Sequence, residues 1–99
     1  MSTAFKRVDA TVRNNRLQDP RYRAIIDRLV ELRNDAGISQ RDLAERLGEP
    51  RSYVSKAENY ERGLDFVQIV DWIRALGVDE RKVVAALVER MPGAQKKRA

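Results

Sequence analysis

The 99-residue chain is long enough for one domain, and its lack of cysteine and histidine excludes disulfides, thiolate metal sites and the commonest general base. Its net charge of +5 lies in its two ends: residues 20–95 balance 13 Lys/Arg against 13 Asp/Glu, residues 1–19 carry +2 and residues 96–99 carry +3. No apolar run approaches the ~18 residues of a membrane span, and the N-terminus lacks a signal-peptide core, so we expect a soluble, cytoplasmic protein. Since no cluster of polar residues suggests a nucleophile, an acid–base pair or a metal site, we also expect no enzymatic activity and no metal or cofactor.

Residues 1–19 form an ambiguous segment. Phe5, Val8 and Val12 recur at helical spacing, yet the same stretch could pair as a strand. We expect a partly ordered N-terminal arm. Its basic residues could reach a minor groove of DNA, pair with a second subunit, or remain solvated. Residues 92–99 are expected to form a short basic tail, which either attracts phosphate or only aids solubility.

Five helices are predicted between residues 20 and 91, which makes the fold class all-α. Their starts are marked by the N-cap residues Asp19, Ser39, Asp65 and Asp79 and by the prolines Pro20 and Pro50. Their ends are marked by Gly37, Gly48, the region of Asn59, Gly77 and Pro92–Gly93.

Residues 39–59 have the spacing of two short helices that meet across a tight turn. Ala44 is small enough for a close crossing, and Gly48 supplies permissive backbone geometry at the turn. Val54 and Ala57 then face inward from the second helix of the pair. The pattern predicts a helix-turn-helix, with an ordinary helical hairpin as the alternative.

The outer face of the third helix carries polar residues that can read bases, namely Arg51, Ser52, Ser55 and Lys56. Arg51 can fork onto guanine O6 and N7, and Lys56 can donate to the same acceptors. In a helix-turn-helix, the N-terminal residues of the second helix, the recognition helix, contact base edges in the major groove. The alternative is a solvated helix face.

Residues around this helix pair are candidates for phosphate contact. Gln40 begins the second helix, where backbone amides and the helix dipole favour an anion, and Arg41 can add its charge. Tyr53 can donate to a phosphate, cover a thymine methyl, or pack over the turn. Arg62 can contact the backbone from the connector that follows the third helix.

Residues 29–78 carry a further set of marks, namely Leu32–Arg33, Gly37–Gln40, Leu43–Ala44, Leu47–Gly48, Val54–Ser55, Glu58 and Ala75–Gly77. With these marks the segment resembles the phage-repressor and Cro-like (Xre-type) helix-turn-helix family. The resemblance implies a compact five-helix, lambda-repressor-like domain that usually binds operator DNA as a dimer. It also implies a phosphate-contacting role for Gln40 and base-reading roles for Arg51, Ser52 and Lys56.

The same resemblance implies an ion pair between Arg33 and Glu58 that ties the first helix to the end of the third. Three departures from the family pattern stand beside it, and one is the segment of nineteen residues before the first helix, which is longer than the minimal domain needs. Glu49 occupies a position that is often apolar, and Tyr60 replaces a common glycine. We therefore expect the connector between the third and fourth helices to follow a different path.

The fourth and fifth helices are the predicted dimer interface. Its candidate residues are Trp72, Val84, Leu87, Val88 and Met91. A tryptophan near the centre of an apolar patch is a typical hot spot for binding. The alternative is that these residues fill the core of the monomer.

The sequence thus predicts a sequence-specific transcriptional regulator, expected to be a repressor. We expect a homodimer that places its two copies of the third helix in successive major grooves of double-stranded operator DNA with two-fold symmetry. A phage repressor, a restriction-modification controller and an antitoxin with a cognate toxin partner all remain open. The rival hypothesis is a protein-interaction module that keeps the fold while DNA binding is secondary or absent. The neutral charge of residues 20–95 and the acidic Glu49 favour that rival.

Overall fold

The computed structural model describes residues 16–91 of the chain, and these residues contain helices and turns but no strand. A short helical turn at 16–18 precedes five α-helices: α1 (Pro20–Asp35), α2 (Gln40–Leu47), α3 (Arg51–Glu58), α4 (Phe66–Ala75) and α5 (Glu80–Arg90). The predicted all-α fold is confirmed. The expectations for residues 1–15, with Phe5, Val8 and Val12, and for the tail at 92–99 lie outside the described residues.

The four predicted N-cap side chains all accept hydrogen bonds from the first turns of their helices, and they are Asp19, Ser39, Asp65 and Asp79. Each bond satisfies a backbone amide that has no partner within its own helix. Helix α3 differs, because Pro50 holds its N-cap position and supplies no side-chain hydrogen bond. Amide groups at the start of α3 therefore have no side-chain cap.

The core lies where α1, α2, α3 and α4 meet. Its largest fully buried side chains are Ile26, Leu29, Leu43, Val54, Trp72 and Ile73. Burial of each large apolar side chain stabilises the fold by about 1.5–3 kcal/mol. The relative orientation of α2 and α3 is therefore set by the same core that holds α1 and α4.

Trp72 is wrongly predicted as a dimer contact. Its side chain is 0% exposed, because it fills the centre of the monomer core from α4. A second subunit cannot reach a side chain in that position. Leu87 of α5 is also buried within the monomer. The alternative that these residues serve the core holds for both of them.

Helices α4 and α5 nevertheless leave apolar surface uncovered. Phe66 and Val67 are each 67% exposed and Val88 is 59% exposed. The spacing of Phe66 with Ile69 and Ile73 places it on the inward face of α4, yet it stands at the very start of that helix. None of the helices within 16–91 is long and apolar enough to cross a membrane.

Candidate nucleic-acid interface

The crossing of α2 and α3 depends on small and branched side chains. Ala44 of α2 and Val54 and Ala57 of α3 are all buried. Gly48 ends α2 with a φ of +70°, and the amide of Glu49 donates to the carbonyl oxygen of Ala44 at 2.9 Å. This closed turn lets the chain reverse between the helices, as a helix-turn-helix requires.

A buried ion pair joins the C-terminal end of α1 to the C-terminal end of α3. Nε of Arg33 donates to Oε2 of Glu58 at 2.6 Å, and the second guanidinium nitrogen donates to Oε1 at 2.9 Å. The two side chains are only 10% and 6% exposed. Arg33 also donates to the carbonyl oxygen of Ile38 at 2.8 Å. The predicted pair is present, and it holds α3 against α1.

Gln40 takes part in the same network. Its side-chain nitrogen donates to Oε1 of Glu58 at 2.8 Å, so the first residue of α2 is bound to the last residue of α3. An amide nitrogen carries two hydrogens, and one of them is free for a further acceptor. The bond therefore orients Gln40 at the N-terminus of α2, where the helix dipole favours an anion.

The outer face of α3 is polar and unengaged. Arg51, Ser52 and Lys56 are exposed and Ser55 is half-buried. Between residues 16 and 91, none of these four side chains has a hydrogen bond or an ion pair with another described residue. The face opposite Val54 and Ala57 therefore presents donors that have no partner among residues 16–91.

Tyr53 packs against the core from the side of α3. Its ring centroid lies 6.1 Å from that of Trp72 at a tilt of 59°, and Nε1 of Trp72 donates to its hydroxyl at 3.4 Å. The guanidinium of Arg62 lies 4.7 Å from the centre of the Tyr53 ring. Tyr53 therefore packs on α4 rather than over the turn, and its contact with a phosphate or a thymine methyl stays a prediction.

The connector between α3 and α4 is attached to α1 through Tyr60. The hydroxyl of Tyr60 donates to the carboxylate of Asp27, and the guanidinium of Arg23 lies 4.3 Å from the centre of its ring. The hydrogen bond to Asp27, together with burial, raises the pKa of Tyr60. Sequence reasoning missed Asp27 and Arg23, although it did single out Tyr60 as a departure from the family pattern.

Charge around the helix pair is mixed. Arg41, Arg51, Lys56 and Arg62 are all exposed, and so are Glu49 and Glu61. Residues 40–62 as a whole carry five Lys/Arg and five Asp/Glu, so the helix pair is formally neutral, like residues 20–95. No group of three or more acidic side chains within the described range could hold a metal ion.

Comparisons with known proteins agree with this geometry. A family model described as helix-turn-helix matches residues 29–83. The chain is similar to a solved structure, an XRE-family like protein from Pseudomonas syringae pv. tomato str. DC3000, with 41% identity and a TM-score of 0.68. That similarity covers 86% of this chain and 98% of the other. No curated protein matches the chain. Together the two matches support a DNA-binding helix-turn-helix regulator.

Proposed function

Because the chain belongs to the Xre-type helix-turn-helix family, as its sequence marks predict, we propose that it is a sequence-specific transcriptional repressor that binds operator DNA as a homodimer. The observation that carries the proposal is the outer face of α3. Its donors are exposed, apart from the half-buried Ser55, and have no partners among the described residues, while its inner face is held by the core and by the Arg33–Glu58 pair.

Helix α3 enters the major groove in this proposal. Arg51 lies in the first turn of α3, where a side chain reaches base edges, and its fork matches O6 and N7 of guanine. Lys56 and Ser55 lie one turn further along, and Ser52 stands beside Arg51. These four residues are the proposed determinants of sequence preference.

Phosphate contacts come from the neighbours of α3. Gln40 keeps one amide hydrogen free beside the N-terminus of α2, and Arg41 is exposed next to it. Arg62 stands on the connector at the other side of α3. Contacts of this kind position the protein and carry the salt dependence of binding, but they read no sequence. Tyr53 supports Arg62 through its ring, and its hydroxyl is a further proposed donor to a phosphate.

The homodimer is proposed to form through α4 and α5. An apolar groove is lined by Ile25, Phe66, Ile69, Val84, Leu87, Val88 and Met91. Phe66, Val67 and Val88 add strongly exposed apolar surface at its edge. Exposed apolar surface of this kind is typical of an interaction site. A second copy on this surface leaves α3 of each subunit free for DNA, as a two-fold operator requires.

The test is titration of a labelled fragment of the protein's own upstream DNA, followed by fluorescence anisotropy at several salt concentrations. We expect selective binding over a scrambled fragment, and a linear fall of log K with log salt because cations are released from DNA. The charge balance of residues 20–95 favours the rival interaction module. Absent or salt-insensitive binding would favour that rival and contradict the repressor.

A further inference from the structure

The end of α3 is closed by an unusual residue. Tyr60 has a φ of +63° and is, within 16–91, the one residue other than glycine with a positive φ. Its amide donates to the carbonyl oxygen of Ala57 at 3.2 Å, and the next amide, that of Glu61, donates to Lys56 at 2.8 Å. These two bonds form the helix ending that glycine usually completes. Glycine adopts this backbone geometry without a Cβ clash, whereas tyrosine adopts it under strain.

The side chain of Tyr60 offsets that strain by joining the connector to α1. Its hydroxyl donates to Asp27, and Arg23 covers its ring. Arg23 itself donates from Nε to the carbonyl oxygen of Leu17 at 2.9 Å, so it is held in place on its other side. Glycine at this position would keep the backbone geometry and lose all of these contacts.

Arg62 follows two residues later, and its position depends on the path that Tyr60 sets. Its amide shares the carbonyl oxygen of Lys56 at 3.3 Å, and its guanidinium lies over the ring of Tyr53. Tyr53 in turn packs on Trp72, which is completely buried. The cation therefore rests on an aromatic stack that is rooted in the core, beside the outer face of α3.

We propose that Tyr60 is a positioning residue: through Asp27 it holds the connector at 59–65 in the path that keeps Arg62 on Tyr53 and presents it to a DNA phosphate. This inference rests on the proposed function, because it deepens the account of how the same surface binds DNA. Tyrosine fixes a connector that glycine would leave flexible, so Arg62 is in position before DNA binds. Less conformational entropy is then lost on binding.

The first test uses the salt dependence of operator binding. Arg62→Gln removes one cation, and we expect the slope of log K against log salt to shrink by about 0.9, the value for one phosphate of B-DNA. Tyr60→Phe removes only the hydroxyl and is expected to shift the slope in the same direction. The double variant should have the slope of Arg62→Gln alone. Arg90→Gln, at the end of α5, should leave the slope unchanged and serves as the matched control.

Tyr60→Gly separates positioning from stability. Glycine relieves the backbone strain but removes the side chain, so we expect this variant to stay folded and still show the reduced slope. A wild-type slope in either Tyr60 variant overturns the proposal. So does a double variant whose loss equals the sum of the two single losses, because Tyr60 would then act independently of Arg62.

A measurement without DNA keeps this inference distinct from the proposed function. The amides of Glu61 and Arg62 both donate to Lys56, and we expect Tyr60→Phe to speed their hydrogen exchange. Unchanged exchange contradicts the role of Tyr60 whatever the protein binds. Faster exchange in Tyr60→Phe, together with no DNA binding by the wild-type protein, would instead contradict the proposed function and leave the role of Tyr60 in holding the connector.

Discussion

Glu58 serves three donors at once, two from Arg33 and one from Gln40. Arg33 and Glu58 are 25 residues apart in the chain, so no helical or strand periodicity indicates that they interact. Resemblance to the Xre-type family suggested Arg33 and Glu58, and the buried bidentate geometry bears that out. The bond from Gln40 to Glu58 could not be predicted, because a glutamine at the first position of a helix can donate to a DNA phosphate as readily as to a carboxylate.

Replacing Glu58 should therefore damage stability and DNA binding together. Glu58→Ala leaves the Arg33 guanidinium buried without its partner, and losses of about 3–5 kcal/mol are typical when one member of a buried pair is removed. We expect a large drop in the melting temperature and weaker operator binding, measured by circular dichroism and anisotropy. Glu89→Ala, an exposed position on α5, is the control and should change neither. Unchanged melting with lost binding would show that Glu58 acts on DNA rather than on the fold.

At the scale of the helices, most boundaries follow from local chemistry. The N-caps Asp19, Ser39, Asp65 and Asp79 act within the turn that follows them, so a sequence pattern is enough to find them. The path of the connector between α3 and α4 is different, because it depends on contacts of Tyr60 and Leu64 with α1. The sequence could mark Tyr60 as a departure but could not say which residue of α1 it would meet.

The stability of the fold should decrease at high pH, because two tyrosines that contact this connector are held in their neutral form. Burial raises the pKa of Tyr22, whose hydroxyl accepts from the amide of Leu64 at 2.9 Å, and the bond to Asp27 raises the pKa of Tyr60. A pKa that is higher in the folded state gives stability that is present below pH ~10, where free tyrosine titrates, and is lost as the pH rises above it.

Urea unfolding between pH 8 and pH 11 tests this sign. We expect wild-type stability to fall above pH ~10, and Tyr60→Phe to fall less steeply because it lacks one of the two groups. The variant keeps Tyr22, so part of the fall should remain. Parallel curves for the two proteins would contradict the contribution of Tyr60, and greater stability at pH 11 than at pH 8 would contradict the sign for both tyrosines.

At the scale of the whole molecule, two surfaces have different proposed functions. Helix α3 and its neighbours are the proposed DNA surface, and the exposed apolar residues of α4 and α5 are the proposed dimer surface. Sequence periodicity predicted an apolar surface on α4 and α5 but assigned Trp72 to its centre. Which apolar residues of an amphipathic helix become exposed depends on how far the neighbouring helix extends over them. Phe66, at the first position of α4, is exposed although it lines a groove with residues of α5.

A charge on the apolar surface should separate the dimer without unfolding the monomer. Val88 is 59% exposed, so Val88→Asp should change monomer stability only slightly, within about 0.5 kcal/mol. In the dimer, the second subunit would bury this aspartate without a partner for its charge. We expect sedimentation velocity to show a dimer for the wild type and a monomer for the variant. Ala86→Asp, exposed on the opposite side of α5, is the matched control and should remain dimeric. A monomeric wild type, or a dimer in both variants, would contradict this interface.

The central claim is that α3 reads base pairs, and competition binding of Arg51→Ala tests it most directly. The ratio of affinities for operator and scrambled DNA is measured at one salt concentration for wild type, Arg51→Ala and Lys82→Ala, which removes the same charge from an exposed position on α5. We expect Arg51→Ala to lower this ratio, with a loss of about 1–3 kcal/mol in the free energy of discrimination, which is typical of one bidentate contact with guanine. Lys82→Ala should preserve the ratio. Equal ratios for wild type and Arg51→Ala would contradict the claim.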